Sequence, residues 1–141
     1  MSMVKARHLK NTTDNTIAFK DWHRTLSYKC TAQDIDMLEY HITSEGIKFV
    51  GVFELTNIYS KGGKKVLNDI LTRITVRDRH GDVLKEVGKR LSCDAYILVF
   101  NDLMEPFWLY DLMKPEFGWV TVSRAAMQRW IEKLREREIL L

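Results

Sequence analysis

Apolar residues along this chain recur with two different periods, one helical and one extended. Between Asn15 and Leu26, the positions Ile17, Phe19 and Trp22 predict a short helix with Asn15 as its cap. Two β-forming runs follow, one over residues 34–42 and one over residues 47–56, with Thr43-Ser44-Glu45-Gly46 between them. A short glycine-containing link between such runs predicts a hairpin. The expected closure is a three-residue loop, Ser44-Glu45-Gly46, with Gly46 in the left-handed conformation. That closure sets Thr43 opposite Ile47, Asp36 opposite Glu54 and Asp34 opposite Thr56, three carboxylates at one end of one sheet face. A two-residue loop moves the pairing by one residue and sends Asp36 and Glu54 to opposite faces.

Both faces of this hairpin are otherwise apolar. Leu38, Tyr40, Val50 and Val52 are expected on one side, and Ile35, Met37, Phe49, Phe53 and Leu55 on the other. This is the pattern of a sheet covered by helices on both faces. Beyond the loop 57–63, Val66, Leu67, Ile70, Leu71 and Ile74 recur at helical spacing, as do Val83, Leu84, Val87 and Leu91. Gly81 interrupts the two stretches, which leaves one bent helix or two. Residues 95–100 read as a buried strand, 107–110 as its neighbour and 119–122 as a short edge strand. Ser123 caps a last helix whose inner face is Ala126, Met127, Trp130, Ile131 and Leu134. The fold class is therefore α/β, a mixed β-sheet flanked by helices on both sides. Residues 15–141 are expected to form a single domain behind a flexible basic N-terminus, residues 1–14.

Charge changes this picture more than composition does. The net charge is only +3, but residues 34–56 carry −4 between flanks of +4 (1–33) and +5 (57–92), with −2 over 93–141. Basic flanks attract polyanions, and a carboxylate cluster repels phosphate unless a cation lies between them. Runs of charge also commonly mark solvated faces. No apolar run reaches the roughly 20 residues of a membrane span, and no signal-peptide core opens the chain, so no membrane partner and a cytoplasmic location are expected. Cys30 and Cys93 lack paired or histidine-flanked spacing, which excludes a zinc finger and fits free thiols in a reducing compartment.

Carboxylates at a strand end beside basic helices suit a hard divalent cation. Mg²⁺ takes one or two protein carboxylates and completes its octahedron with water and phosphate oxygens. Trp22-His23-Arg24, then Asp34-Ile35-Asp36-Met37-Leu38-Glu39-Tyr40, then Gly51-Val52-Phe53-Glu54-Leu55-Thr56 resemble the core of the PD-(D/E)xK nuclease superfamily over about residues 16–112. The resemblance implies a restriction-endonuclease-like fold and a nuclease, a metal-dependent DNA phosphodiesterase using Mg²⁺ or Mn²⁺. It carries Asp36 over as the metal-binding aspartate and Glu54 as the acidic residue two before the family's lysine, with Asp34 assisting the metal.

The lysine position is Thr56, a departure from the family pattern. A threonine hydroxyl hydrogen-bonds but supplies no cation. Either a lysine from elsewhere replaces it (Lys61, Lys64, Lys65 or Lys85), or metal alone suffices, or the chain is a catalytically inactive nuclease-fold module that binds nucleic acid or a protein. Among the lysines, Lys64 is assigned to catalysis, and Arg24, Lys61, Lys65 and Arg73 to DNA contact. Arg77 and Arg79 suit phosphate contact or a solvated helix. His23 reads as structural, Glu39 as surface, and His41 and His80 have no partners that suggest a ligand set. Tyr96, Trp108, Trp119 and Trp130 read as core. The apolar end Ile139-Leu140-Leu141 would suit a homodimer.

Overall fold

The computed structural model describes residues 13–29, 31–59 and 63–134, in two compact units divided between Gln33 and Asp34. Cys30, Lys61 and the expected dimerisation end Ile139-Leu140-Leu141 lie outside the described residues, as do residues 1–12 of the expected flexible terminus.

The first unit contains helix α1, Thr13–His23. It starts before Asn15, which therefore falls in the first turn and not at the cap. It ends before Leu26 in a turn where the Thr25 hydroxyl donates to the Trp22 carbonyl at 2.6 Å. Ile17, Phe19 and Trp22 are exposed, and the Phe19 ring lies 5.5 Å from that of Trp22. His23 lies against Phe19, with ring centroids 6.4 Å apart.

The second unit is built on a five-stranded sheet. Strands β1 (Met37–Thr43) and β2 (Gly46–Asn57) form the hairpin. Helix α2 (Lys64–Thr72), a π-helical segment (Arg73–Arg77) and helix α3 (His80–Leu91) then lead to β3 (Asp94–Phe100). Strand β4 (Phe107–Asp111), a 3₁₀ turn (Pro115–Phe117), edge strand β5 (Trp119–Val122) and helix α4 (Arg124–Leu134) complete the order. The strands lie side by side in chain order; β2 and β3 are parallel and the other neighbours antiparallel. Antiparallel neighbours need only short turns, whereas the parallel pair needs the helical crossover that α2 and α3 provide.

Two apolar layers sandwich this sheet. Val52, Ala95, Ile97, Val99, Trp108 and Tyr110 pack with Leu67, Ile70, Ile74 and Leu84 of the crossover. On the opposite face Val50, Phe53, Tyr96, Leu98 and Phe107 pack with Met127 and Leu134 of α4. Burial on both faces explains the uninterrupted apolar run of β3. Phe53 stacks on Tyr96 at 5.1 Å, and Trp130 meets Tyr96 edge-on at 4.9 Å. The crossover is two helices, and the break lies at Asp78-Arg79, with Arg79 at φ +58°, while Gly81 sits buried inside α3. The Ser123 hydroxyl accepts the Ala126 N–H at 3.1 Å and caps α4.

The hairpin turn differs from the expected one. Thr43 pairs with Gly46, so only Ser44 and Glu45 lie in the turn, and Gly46, at φ +126°, opens the returning strand. The Thr43 hydroxyl ties this closure, donating to the Gly46 carbonyl at 2.9 Å and accepting the Glu45 N–H at 3.2 Å. Ile42 then faces Ile47, and Tyr40 faces Phe49. Between Tyr40 and Glu39 the register shifts, because Glu39 pairs with Gly51 and Val50 has no partner across the ladder. Val50 is the extra residue of a β-bulge. It breaks the alternation, so Val50 joins the α4 layer while Val52 joins the crossover layer, correcting the shared face expected for them. Below the bulge, Leu38 faces Val52 and Met37 faces Phe53.

Candidate functional site

Two departures in the hairpin cancel. The two-residue turn alone would separate Asp36 from Glu54, and the bulge at Val50 restores the missing residue. The pairing of Met37 with Phe53, extended by one step, brings Asp36 opposite Glu54. A glycine within a strand is a sequence signal for a bulge or a close approach, and Gly51 supplies both. A Cβ at position 51 would meet the Phe53 ring at 2.8 Å and Tyr96 at 3.5 Å.

Strand β1 begins at Met37, not Asp34, so Asp34 and Asp36 precede the ladder and Asp34 does not pair with Thr56. Beyond the start of β1, the N–H of Leu55 on β2 needs another acceptor, since an orphaned backbone donor is costly. Oδ2 of Asp36 accepts it at 2.8 Å. The Asp36 side chain thus extends the sheet by one hydrogen bond and is held against β2.

Glu54 is half-buried on the Val52 side of β2, the side that the crossover covers. Its carboxyl is pushed up from 4.5 to about 7. Loss of hydration is the largest cause, followed by the negative charge of Asp36 and a hydrogen bond between the two side chains. Asp34 adds a smaller push in the same direction. The guanidinium of Arg73 opposes them and favours the charged form. Burial and the neighbouring carboxylate thus favour the protonated form of Glu54.

Hard oxygen donors, two carboxylates in contact and a charge that burial disfavours together fit a divalent cation that keeps several of its waters. Asp36 and Glu54 could supply its protein ligands. Among the described residues, no three His, Cys, Asp or Glu side chains form a metal-holding group.

Thr56 is half-buried, aligned with Val99 of β3 and on the same side of β2 as Glu54. Lys64 and Lys65 are exposed at the start of α2. Lys85 belongs elsewhere: its ammonium lies 3.8 Å from Asp82, and both line a cleft of about 240 Å³ with Leu71, Thr75, Tyr110 and Leu112. Arg24 lies in the first unit and pairs with Asp21 at 2.7 Å. The cation that acts on Glu54 is Arg73, at the start of the π-helical segment. Its sequence signal was its place three residues after Ile70 and one before Ile74, both buried.

Among the described residues no helix is long and apolar enough to cross a membrane. Comparison of the chain with family models, with curated proteins and with solved structures finds no match.

Proposed function

We propose that this chain is a Mg²⁺- or Mn²⁺-dependent phosphodiesterase that cleaves DNA in the cytoplasm, a nuclease of PD-(D/E)xK type. The observation that carries the reading is the carboxyl pair Asp36–Glu54, with Glu54 held near a pKa of about 7 and Arg73 beside it. A divalent cation held there would supply Lewis acidity and a water of lowered pKa. Asp36 and Glu54 would be its ligands, and Asp34 would add negative field. Arg73 would balance the phosphate's charge from the crossover side, taking over the cationic part that Thr56 cannot play. The Thr56 hydroxyl remains able to hydrogen-bond a water or a phosphate oxygen, and Lys64 and Lys65 to attract the strand.

The test uses Asp36→Asn and Glu54→Gln, because Asn keeps an oxygen for the Leu55 N–H where Ala would not. Both variants should melt as cooperatively as the parent and lose Mg²⁺-dependent cleavage of a labelled DNA by at least about a hundredfold, the scale of a lost site group. Parental cleavage rates in both would end the assignment.

A second reading has its own observation. Thr56 stands where the family has lysine, and Asp36 already has a structural task at Leu55. A catalytically inactive nuclease-fold module would bind DNA in a salt-sensitive way and leave it intact in Mg²⁺ and Mn²⁺. Binding a protein partner alone would show neither effect.

A further inference from the structure

The two edges of the sheet differ. Strand β5 has four residues and leads through Ser123 into α4. Strand β1 has seven, pairs with β2 alone, and ends the sheet among the described residues. An edge strand presents unpaired backbone N–H and C=O groups, and proteins blunt such edges with lysine, proline, a bulge or brevity. Strand β1 contains neither lysine nor proline, and the bulge of this hairpin belongs to β2. None of its seven residues is buried; Tyr40 is 39% exposed and Ile42 59%.

This strand is complementary to itself. A two-fold axis that engages all seven residues must pass through the middle one, Tyr40, so the strand's length fixes the register. Antiparallel pairing about Tyr40 sets Leu38 opposite Ile42 of a second copy, Glu39 opposite its His41 and Met37 opposite its Thr43, each pairing occurring twice. Leu38, Tyr40 and Ile42 project to one face, Glu39 and His41 to the other. Apolar therefore meets apolar, and carboxylate meets imidazole. Such matching of a patch with its own copy is what a two-fold interface demands.

The cross-strand rows of the hairpin also continue over the boundary. Ile47 faces Ile42, and the row is prolonged by Leu38 and Val52 of the second copy. Phe49 faces Tyr40, and the second copy's Tyr40 and Phe49 extend that row. On the other face Lys48 stands opposite His41, two nitrogen donors side by side, and the next residue across is the second copy's Glu39. Within its own hairpin Glu39 faces Gly51, which offers no side chain. Opposite-charge and apolar cross-strand pairs are the stabilising units of a sheet.

We propose that the β1 edge is a homodimer interface, where two copies join antiparallel about Tyr40 and their two five-stranded sheets become one of ten strands. The inference goes beyond the nuclease reading and uses no residue of the carboxyl pair, so either can fail alone.

Sedimentation velocity of the full chain between about 1 and 100 μM, the range of reversible association, tests it. The parent should pass from monomer to dimer. Ile42→Lys sets an ammonium opposite Leu38 of the second copy, twice per dimer, and should raise the dissociation constant at least about a hundredfold. Its thermal melt at the lowest concentration should match the parent's, because Ile42 is mostly exposed in the single chain. The register has its own readout. In a Cys30→Ser, Cys93→Ser background, Tyr40→Cys should form a disulfide between copies on mild oxidation, since directly opposed residues have Cα atoms about 4.5–5.5 Å apart. Glu45→Cys in the same background lies five positions from the axis and should stay uncross-linked. A parent that remains monomeric at the highest concentration overturns the inference, and is what an edge reserved for another protein's strand would give. A dimer in which Tyr40→Cys does not cross-link overturns it too, and is what association through Ile139-Leu140-Leu141 would give.

Discussion

At the tip of the hairpin Ile42 faces Ile47 and both side chains are 59% exposed, whereas at the base Val52 and Phe53 are fully buried. Tip and base share one hairpin, similar residues and antiparallel pairing. They differ in register by one residue, because Val50 is inserted between them. The tip is set by its turn chemistry, through the Thr43 hydroxyl and Gly46. The base is set by packing on two layers, which fixes which residues must point to which side. The carboxyl pair belongs to the base, so its geometry follows the core and not the turn.

The sharpest way to break this contrast is Gly51→Ala. The new methyl would press on the Phe53 ring, which is fully buried between Tyr96 and Trp130, and should cost about 1–3 kcal/mol in urea unfolding. A cost near zero would mean that the base tolerates rearrangement as the tip does.

The next effect is electrostatic and depends on pH. Because the folded-state value of Glu54 is raised, its contribution to stability is full below about pH 4.5 and is lost as pH rises through about 7. Glu54→Gln should therefore stabilise the protein at pH 8 by about 1–2 kcal/mol, allowing for solvent screening of a half-buried group, and do little near pH 4. Thermal melts at the two pH values check it, and equal effects at both would exclude the raised value.

A subtler change separates charge from hydrogen bonding. Asp36→Asn keeps an acceptor for Leu55 and removes the charge opposite Glu54. Carboxyl NMR should then show Glu54 titrating below about 7, moved towards 4.5, with a smaller gain in stability at pH 8 than Glu54→Gln gives and little change near pH 4. The smallest effect belongs to the tip. Ile42→Thr should alter unfolding free energy by no more than about 0.5 kcal/mol, since the side chain is mostly in solvent and threonine suits a strand.

These two parts of the hairpin also show what a sequence can and cannot carry. Helix α4, its Ser123 cap, the buried run of β3 and the two covered faces were legible, because each follows from a local period or a capping residue. The opposition of Asp36 and Glu54 was expected from a three-residue turn that the molecule does not have. It is reached through a shorter turn and a bulge, two non-local choices that no alternation of Phe49-Val50-Gly51-Val52 reveals. Gly51 was the available clue. Asp34 was read into the strand because β propensity does not show where pairing stops. Arg73 was read only as a phosphate contact, because the π-helical segment that sets it beside Glu54 depends on how the crossover packs.

The bulge has a practical consequence for anyone modifying this protein. Since the base takes its register from the core, the turn at Ser44-Glu45 is a grafting point. Residue pairs could be spliced in there, or a short epitope or dye-labelling sequence displayed, without displacing the carboxyl pair that lies beyond Val50.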